Sequence, residues 1–365
     1  MDTEIKVISE GPVVVAKPLR VGIIGCGGVA QTHMQYLTRI PGVTIVAGAD
    51  IRQVALDHMA SEWGVPESHL FTDFNQMFSA VGDDIDAISV CTPNGVHAIA
   101  AIAAANAGKD VLCEKPIAMN PVEAQAMADA VHANNVKFVM GFQHRYEPRS
   151  QYVRDLIQSG VLGKIMYVRA QALRRRGIPN WGVFGRKELQ GGGPMIDIGV
   201  HILDTAHSLM GNPKPVTATG NTFTWMGNKP SEVKSQWPNW DYKTYTVEDF
   251  AAGMIRFDSG AMLTLESSFC THIKEDIFDI QFFGEKGGII WSTSETFTDF
   301  GGYMLNAEPA FQPNWDMWDY KLRHFVEVVR DGRVNECPVE HGVMVQKMLS
   351  GIYESAEKGR EVEIG

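Results

Sequence analysis

Leu19-Arg20-Val21-Gly22-Ile23-Ile24-Gly25-Cys26-Gly27-Gly28-Val29-Ala30 is an apolar run that ends in glycines, and the helical composition of Gln31 to Arg39 follows it until Pro41-Gly42. The order is strand, tight turn, helix. Gly25-x-Gly27-x-x-Ala30 falls in that turn, the context in which a glycine pattern points to a dinucleotide pyrophosphate. Gly25 permits the turn, Gly27 lets backbone approach the phosphates, and small Ala30 allows helix and strand to pack closely. Gly28 and Val29 complete the loop, and free N–H groups at the helix N-terminus supply positive potential for the phosphates. A glycine turn of purely structural purpose is the plainer alternative; the strand before it and the helix after it argue against that.

Working outward, Val43 to Ala49 reads as a second buried strand ending at Asp50, and Val54 to Trp63 as the next helix. A carboxylate at that strand end accepts hydrogen bonds from ribose hydroxyls and repels a 2′-phosphate, so Asp50 favours NAD over NADP. Ile51 and Arg52 share this corner, and Arg52 is the feature that would suit the phosphate instead. Further strands are expected at Ala87 to Cys91, Asp110 to Cys113 and Phe138 to Gly141, with helices at His97 to Ala107 and Pro121 to Asn134 between them. Strands alternating with helices imply a doubly wound parallel sheet covered on both faces, a Rossmann domain over residues 19–142.

After Tyr146 the rhythm changes. Ile165 to Leu173, Val216 to Trp225, Asp249 to Phe257, Ala261 to Phe269 and Phe278 to Phe283 look like strands with few helices between them, and Asp258-Ser259-Gly260 reads as a hairpin turn. Residues 143–365 are therefore expected to form a second α/β domain on a large, open, mostly antiparallel sheet. Helical spacing returns at Pro194 to Leu209, and again in Trp315 to Val329 and Met344 to Lys358, a tail free to pack back on either domain. Residues 1–18 read as a short extension.

A chain of 365 residues exceeds one ordinary core and suits two domains. Its net charge of -11 repels nucleic acid and anionic membrane. The longest strongly apolar stretch, Ala98 to Gly108, is interrupted by Asn106 and is too short to span a bilayer. Asp2 and Glu4 stand where a secretory signal would want positive charge, and the five cysteines show neither a C-x-x-C pair nor zinc spacing, so a cytoplasmic protein with reduced thiols is expected.

Three residues then carry the chemistry. Glu114-Lys115-Pro116 follows an apolar strand, which places Lys115 at the carboxyl edge of the sheet, where open α/β folds bind ligands. Its bland alternative is a surface lysine paired with Glu114. In Gly191-Gly192-Gly193-Pro194-Met195-Ile196-Asp197-Ile198-Gly199-Val200-His201, Pro194 suits the first helical position and the glycines would let the chain pass close to a ligand. Asp197 and His201, spaced i, i+4, share one helix face, with Asp204 further along the same stripe. Oxidising a secondary alcohol needs a base for the hydroxyl proton, and histidine has the pKa nearest neutrality. His201 is the candidate base, Asp197 orients the substrate or shares the proton, and Lys115 stabilises developing alkoxide. The competing readings are a satisfied core histidine and a metal pair; further ligands for a metal cannot be placed, so none is expected.

The ordered landmarks Gly25-x-Gly27-x-x-Ala30, Asp50, Cys91-Thr92-Pro93-Asn94 with His97, Glu114-Lys115-Pro116, Gly141-Phe142-Gln143-His144-Arg145-Tyr146 and Gly193 to His201 together resemble the glucose-fructose oxidoreductase, inositol dehydrogenase and rhizopine-catabolism (Gfo/Idh/MocA) family over nearly the full chain. The resemblance implies the two-domain fold, with the free face of the second sheet as the contact of a homo-oligomer, a dimer or tetramer. It implies that Thr92, Pro93, Asn94 and His97 line the cofactor, alongside Glu114 and Lys115, and that Lys115, Asp197 and His201 are catalytic. His144 departs from the Asn or Arg common near that point in the family.

For the substrate, Arg174-Arg175-Arg176-Gly177-Ile178-Pro179-Asn180-Trp181 is a loop expected to reach the cleft, with Arg176 as donor to hydroxyls and Trp181 to stack on a sugar ring. Arg145 is grouped with them, beside Lys115, Asp197 and His201. At least one of the three arginines is expected to be merely solvated. The substrate class is a sugar, glycoside or cyclic polyol, oxidised at a ring hydroxyl such as C3 of a pyranose. Redox-assisted glycoside hydrolysis and a non-enzymatic, dinucleotide-binding regulator are the alternatives.

Overall fold

In a computed structural model the structure describes residues 17–365; residues 1–16 of the expected extension lie outside them. Six strands, β1 (Leu19–Ile24), β2 (Val43–Ala49), β3 (Leu70–Phe71), β4 (Ala87–Val90), β5 (Asp110–Cys113) and β6 (Phe138–Met140), form a sheet in the order β3-β2-β1-β4-β5-β6. Every neighbouring pair is parallel. All four residues of β4 are buried, as expected where helices cover both faces. The helix Gly28–Leu37 buries Ala30, His33, Met34 and Leu37, the i, i+3, i+4, i+7 stripe of a helix laid on a sheet. Strand order reverses between β1 and β4, and ligands of such sheets bind at the carboxyl ends beside that reversal.

The second sheet holds β7 (Ile165–Leu173), β8 (Pro215–Phe223), β9 (Phe250–Phe257), β10 (Met262–Ser268), β11 (Ile277–Gly284), β12 (Gly287–Ile290), β13 (Thr296–Phe300), β14 (Tyr303–Ala307) and β15 (Val362–Glu363). Its order is β14-β13-β12-β11-β7-β10-β9-β8-β15. Only β7 and β10 run parallel; the other pairs are antiparallel, so the sheet is mixed but mostly antiparallel as expected. The hairpin at Asp258-Ser259-Gly260 is present, with Gly260 at φ +84°. Strands β12 to β15 were not foreseen. Gly287-Gly288 opens β12, and all five residues of β14 are exposed, so neither strand shows the alternation that marks a half-buried strand in sequence.

The C-terminal tail packs on both sheets. Near its start the helix Val339–Lys358 places Gly342 against Ile117 and Met140 of the nucleotide half. Further on, Ile352 sits over Gly220 and Gly253, which face each other in the β8–β9 register; a Cβ on either would come within 2.8 Å of its side chain. The preceding helix Met317–Val326 lies on the nucleotide half, with Trp318 edge-on to His33 at 6.0 Å.

Candidate active site

Gly25 adopts φ +85°, and a Cβ there would stand 2.7 Å from the Thr92 nitrogen. The reversal in strand order brings the ends of β1 and β4 this close, so only glycine fits. Gly27 caps the helix Gly28–Leu37, whose first turn carries no acidic residue, leaving its N–H groups and positive potential for an anion. Val29 is half exposed beside it. The Asp50 carboxylate accepts the Cys26 N–H at 2.9 Å, the Arg52 N–H at 2.9 Å and Arg52 Nε at 3.2 Å. It thus fixes the glycine turn before it meets any ligand. Ile51 is exposed, and the Arg52 guanidinium lies above Gly27.

At the next strand end the expected cofactor wall divides. Thr92 Oγ1 is buried without a partner among the described residues, and Pro93 is exposed. Asn94 instead donates its amide to the Gln190 carbonyl at 3.1 Å, joining the two halves. His97 ties two loops together. It is 1% exposed, with Nδ1 at 2.6 Å from the Pro116 carbonyl and Nε2 at 2.8 Å from that of Thr92, so neither nitrogen is left for a ligand.

The Glu114 side chain also turns inward. Its carboxylate accepts Lys321 Nζ at 2.6 Å and faces His33 Nε2 at 2.9 Å, while His33 Nδ1 meets Ser89 Oγ at 2.8 Å. Burial opposes its ionisation, yet Lys321 and His33 together hold the carboxyl well below the usual range. Lys321 is wholly buried and sits 3.9 Å above the Trp318 ring. No local pattern announces this partner, because it arrives from the other end of the chain.

Lys115 turns the opposite way from Glu114. Its Nζ donates to the Asp197 carbonyl at 2.9 Å and to Asp197 Oδ1 at 3.2 Å, so the reading of a surface Lys115–Glu114 pair does not hold. Met195–Gly199 is wound as a π turn leading into the helix Val200–Leu209. Such a turn interrupts the regular ladder and frees carbonyls for other donors, which suits the contact from Lys115. His201 follows in the first turn of that helix. Neither of its ring nitrogens has a hydrogen-bond partner among the described residues, and Nδ1 is fully buried. Burial first, then the charge of Lys115 and the neighbouring His144, hold its pKa well below the ordinary value, so the ring is a neutral acceptor at pH 7.

The glycines before this helix serve the protein rather than a ligand, contrary to expectation. A Cβ on Gly192 would lie 2.2 Å from Tyr353 Oη, and one on Gly193 2.2 Å from the Glu248 carbonyl. The buried Glu248 carboxylate accepts the Gly193 N–H at 2.9 Å, the Met195 N–H at 3.3 Å and Tyr353 Oη at 2.7 Å. It anchors the segment that carries Asp197 and His201. The acid pair Glu248-Asp249 in an otherwise uncharged stretch from Tyr245 to Phe250 was the available sign of it.

Arg145 is engaged within the protein. Its Nε donates to Asp204 Oδ2 at 2.9 Å, and Nη1 reaches the Glu336 carbonyl at 3.0 Å and His341 Nδ1 at 2.9 Å, so the guanidinium is spent inside the protein. Asp204 is its counter-ion and not part of the reactive stripe. His144, by contrast, belongs to the site: its ring stands edge-on to His201 at 4.9 Å, and Glu147 binds its Nδ1. In the substrate loop, burial pulls the Arg174 guanidinium down from its ordinary value, with Asp197 the largest opposing influence; it packs 5.1 Å from the Trp237 ring. Trp181, half exposed, meets Trp237 edge-on at 4.7 Å. Arg176 donates to the Thr271 carbonyl and to His272.

The chain is similar to known proteins along most of its length. The Gfo/Idh/MocA profile described as an oxidoreductase family with an NAD-binding Rossmann fold matches residues 19–142. The profile of the Gfo/Idh/MocA C-terminal domain matches residues 150–290. D-glucoside 3-dehydrogenase of Escherichia coli K12 is 36% identical over 351 residues, 96% of this chain and 98% of the relative. Levoglucosan dehydrogenase of Pseudarthrobacter phenanthrenivorans is 29% identical over 290 residues, 75% of this chain and 73% of the relative. Among solved structures, the aldose-aldose oxidoreductase of Caulobacter crescentus complexed with glycerol superposes with a TM-score of 0.79 at 26% identity, covering 95% of this chain and all of the other.

Proposed function

The chain belongs to the Gfo/Idh/MocA family of NAD-binding oxidoreductases, and on that premise we propose that it oxidises a ring hydroxyl of a D-glucoside, at C3 of the pyranose, to a ketone. One observation supports this most: a neutral, partnerless His201 beside the Lys115–Asp197 pair. NAD fits the nucleotide half, where the left-handed Gly25, an acid-free helix N-terminus and the unpartnered Thr92 hydroxyl surround the crevice and Asp50 disfavours a 2′-phosphate. When bound, NAD accepts the hydride from the carbinol carbon. The residues of this chain handle the proton and the oxygen. Lys115 directs an N–H at the substrate hydroxyl oxygen and stabilises charge as the C–O bond becomes a carbonyl. Asp197 fixes the Lys115 ammonium through two contacts, and His201 takes the hydroxyl proton.

The names of the relatives favour net oxidation over redox-assisted hydrolysis. Levoglucosan, inositol and free aldoses are the compounds against which specificity should be compared. We divide the chain into domains at residues 142 and 143, and place the contact of a homo-oligomer on the outer face of the second sheet, where Met166, Phe223 and Phe283 are exposed. Among the described residues no helix is long and apolar enough to cross a membrane. All five cysteines are unpaired and four are buried, in keeping with a reducing compartment, the cytoplasm. The test is NADH formation with methyl glucosides, free sugars and inositols, followed by position-specific analysis of the keto product. Turnover at C3 is expected; no NADH with any of them would overturn the reading.

A further inference from the structure

Outside the catalytic groups, a cavity of about 660 Å³ opens between the loop after β7, the start of β11 and the loop near Lys234. Arg175, Arg176, Lys234, His272, Ser235 and Asp276 line it. In a chain of net charge -11, three basic side chains, Arg175, Arg176 and Lys234, face one cavity. Asp276 is the one carboxylate of the lining, and its Oδ1 accepts the Arg175 backbone N–H at 2.7 Å, which leaves the cations in excess.

The guanidinium groups are already oriented. Arg175 Nη1 donates to the Lys274 carbonyl at 2.8 Å; Arg176 Nη1 donates to the carbonyls of Arg175 at 2.8 Å and Thr271 at 3.2 Å. Arg176 Nη2 lies 3.1 Å from His272 Nε2, and since a guanidinium can only donate, His272 accepts there and keeps its other ring nitrogen as a donor. Arg175 Nε and Nη2 and the Lys234 ammonium have no partner among the described residues. The wall thus presents mainly donors, held by carbonyls, with three cations and the single carboxylate of Asp276 in its lining. Forked guanidinium donors on backbone supports match the planar carboxylate and the tetrahedral phosphate.

We propose that this cavity binds an oxyanion, a phosphate or a carboxylate. It lies on the rim of the substrate loop, since Trp237, next to Gln236 in that wall, packs on Arg174 and Trp181. The oxyanion is either a substituent at the far end of the sugar substrate or a free acid, and one experiment separates the two.

Inorganic phosphate is titrated calorimetrically into the full-length protein, and into Lys234→Ala and Arg176→Ala variants whose melting temperatures match the parent. Saturable binding is expected, weakened roughly tenfold or more in each variant, as loss of a charge-assisted hydrogen bond implies, and weakened again by sodium chloride. No saturable binding at tens of millimolar phosphate, or equal binding in parent and both variants, overturns the site. Turnover is then compared for a neutral glucoside, its 6-phosphate and the matching glucuronide. A kcat/KM advantage for the charged sugars that Lys234→Ala abolishes assigns the anion to the substrate. Phosphate that binds without competing against any sugar assigns it to a free acid. The calorimetric arm needs no turnover, so failure of the glucoside assignment and failure of this site are told apart.

Discussion

Glu114 and Lys115 are neighbours in sequence and opposites in environment. Glu114 enters a closed network: Lys321, His33 and Ser89 satisfy one another in the interior. Lys115 enters an open one, where Asp197 holds the ammonium but His201 stands without a hydrogen-bond partner. A buried charge whose partners are complete adds rigidity; a buried acceptor left unsatisfied is held ready for a ligand. One strand end serves both purposes because consecutive side chains point to opposite sides. In the proposed mechanism the open trio does the chemistry, and the closed network of Glu114, Lys321, His33 and Ser89 fixes the strand end that carries it.

The most severe test of that contrast is His201→Asn or Lys115→Met. Turnover is expected to fall about 10²–10⁴-fold while NAD affinity and melting temperature stay near the parent, the usual scale for acid–base groups. A variant that loses stability instead of turnover would move the residue into the closed class. Lys321→Met should show the reverse. Removing one partner of a buried pair strands Glu114, and a loss of about 3–5 kcal/mol in denaturant unfolding is expected. Unchanged stability would show that Glu114 does not need its counter-ion.

Gly193→Ala is expected to cost about 1–3 kcal/mol, as overpacking does, and to lower kcat as well, because the Glu248 backbone carbonyl must shift and with it the segment bearing Asp197 and His201. A stable variant with full activity would separate that anchor from the site. The smallest effect concerns pH. The folded pKa of His201 lies below its unfolded value near 6.5, so its neutral form is stable above pH 6.5, and both stability and kcat/KM decline only as pH falls below that toward the folded pKa. An acid limb of kcat/KM centred at or above pH 6.5 would contradict a base kept neutral by burial.

What sequence revealed follows the same division. Features fixed by local spacing were legible: the Gly25 turn between strand and helix, Lys115 at a strand end, and the helical segment that carries Asp197 and His201. Features fixed by contacts between distant segments were not. Arg145 resembles a substrate ligand until Asp204 and Glu336 engage it, and Gly192 and Gly193 resemble a ligand approach until Tyr353 and Glu248 fill the space. His97 and Glu114 sit inside family-like motifs, but which side of the motif faces the crevice depends on the fold. β14 was invisible because an edge strand exposed along its whole length shows no apolar period.

The helix Met317–Val326 gives the molecule an order of assembly. The nucleotide half is continuous in sequence and leaves the ribosome before this helix, at a few to some twenty residues per second. Glu114 and His33 then wait without their counter-ion until Lys321, 207 residues after Glu114, is made. Their network closes only then. A nascent chain stalled before Lys321 should therefore yield to protease around Glu114, and one extended beyond it should resist, so that synthesis of this helix acts as the checkpoint for the nucleotide half.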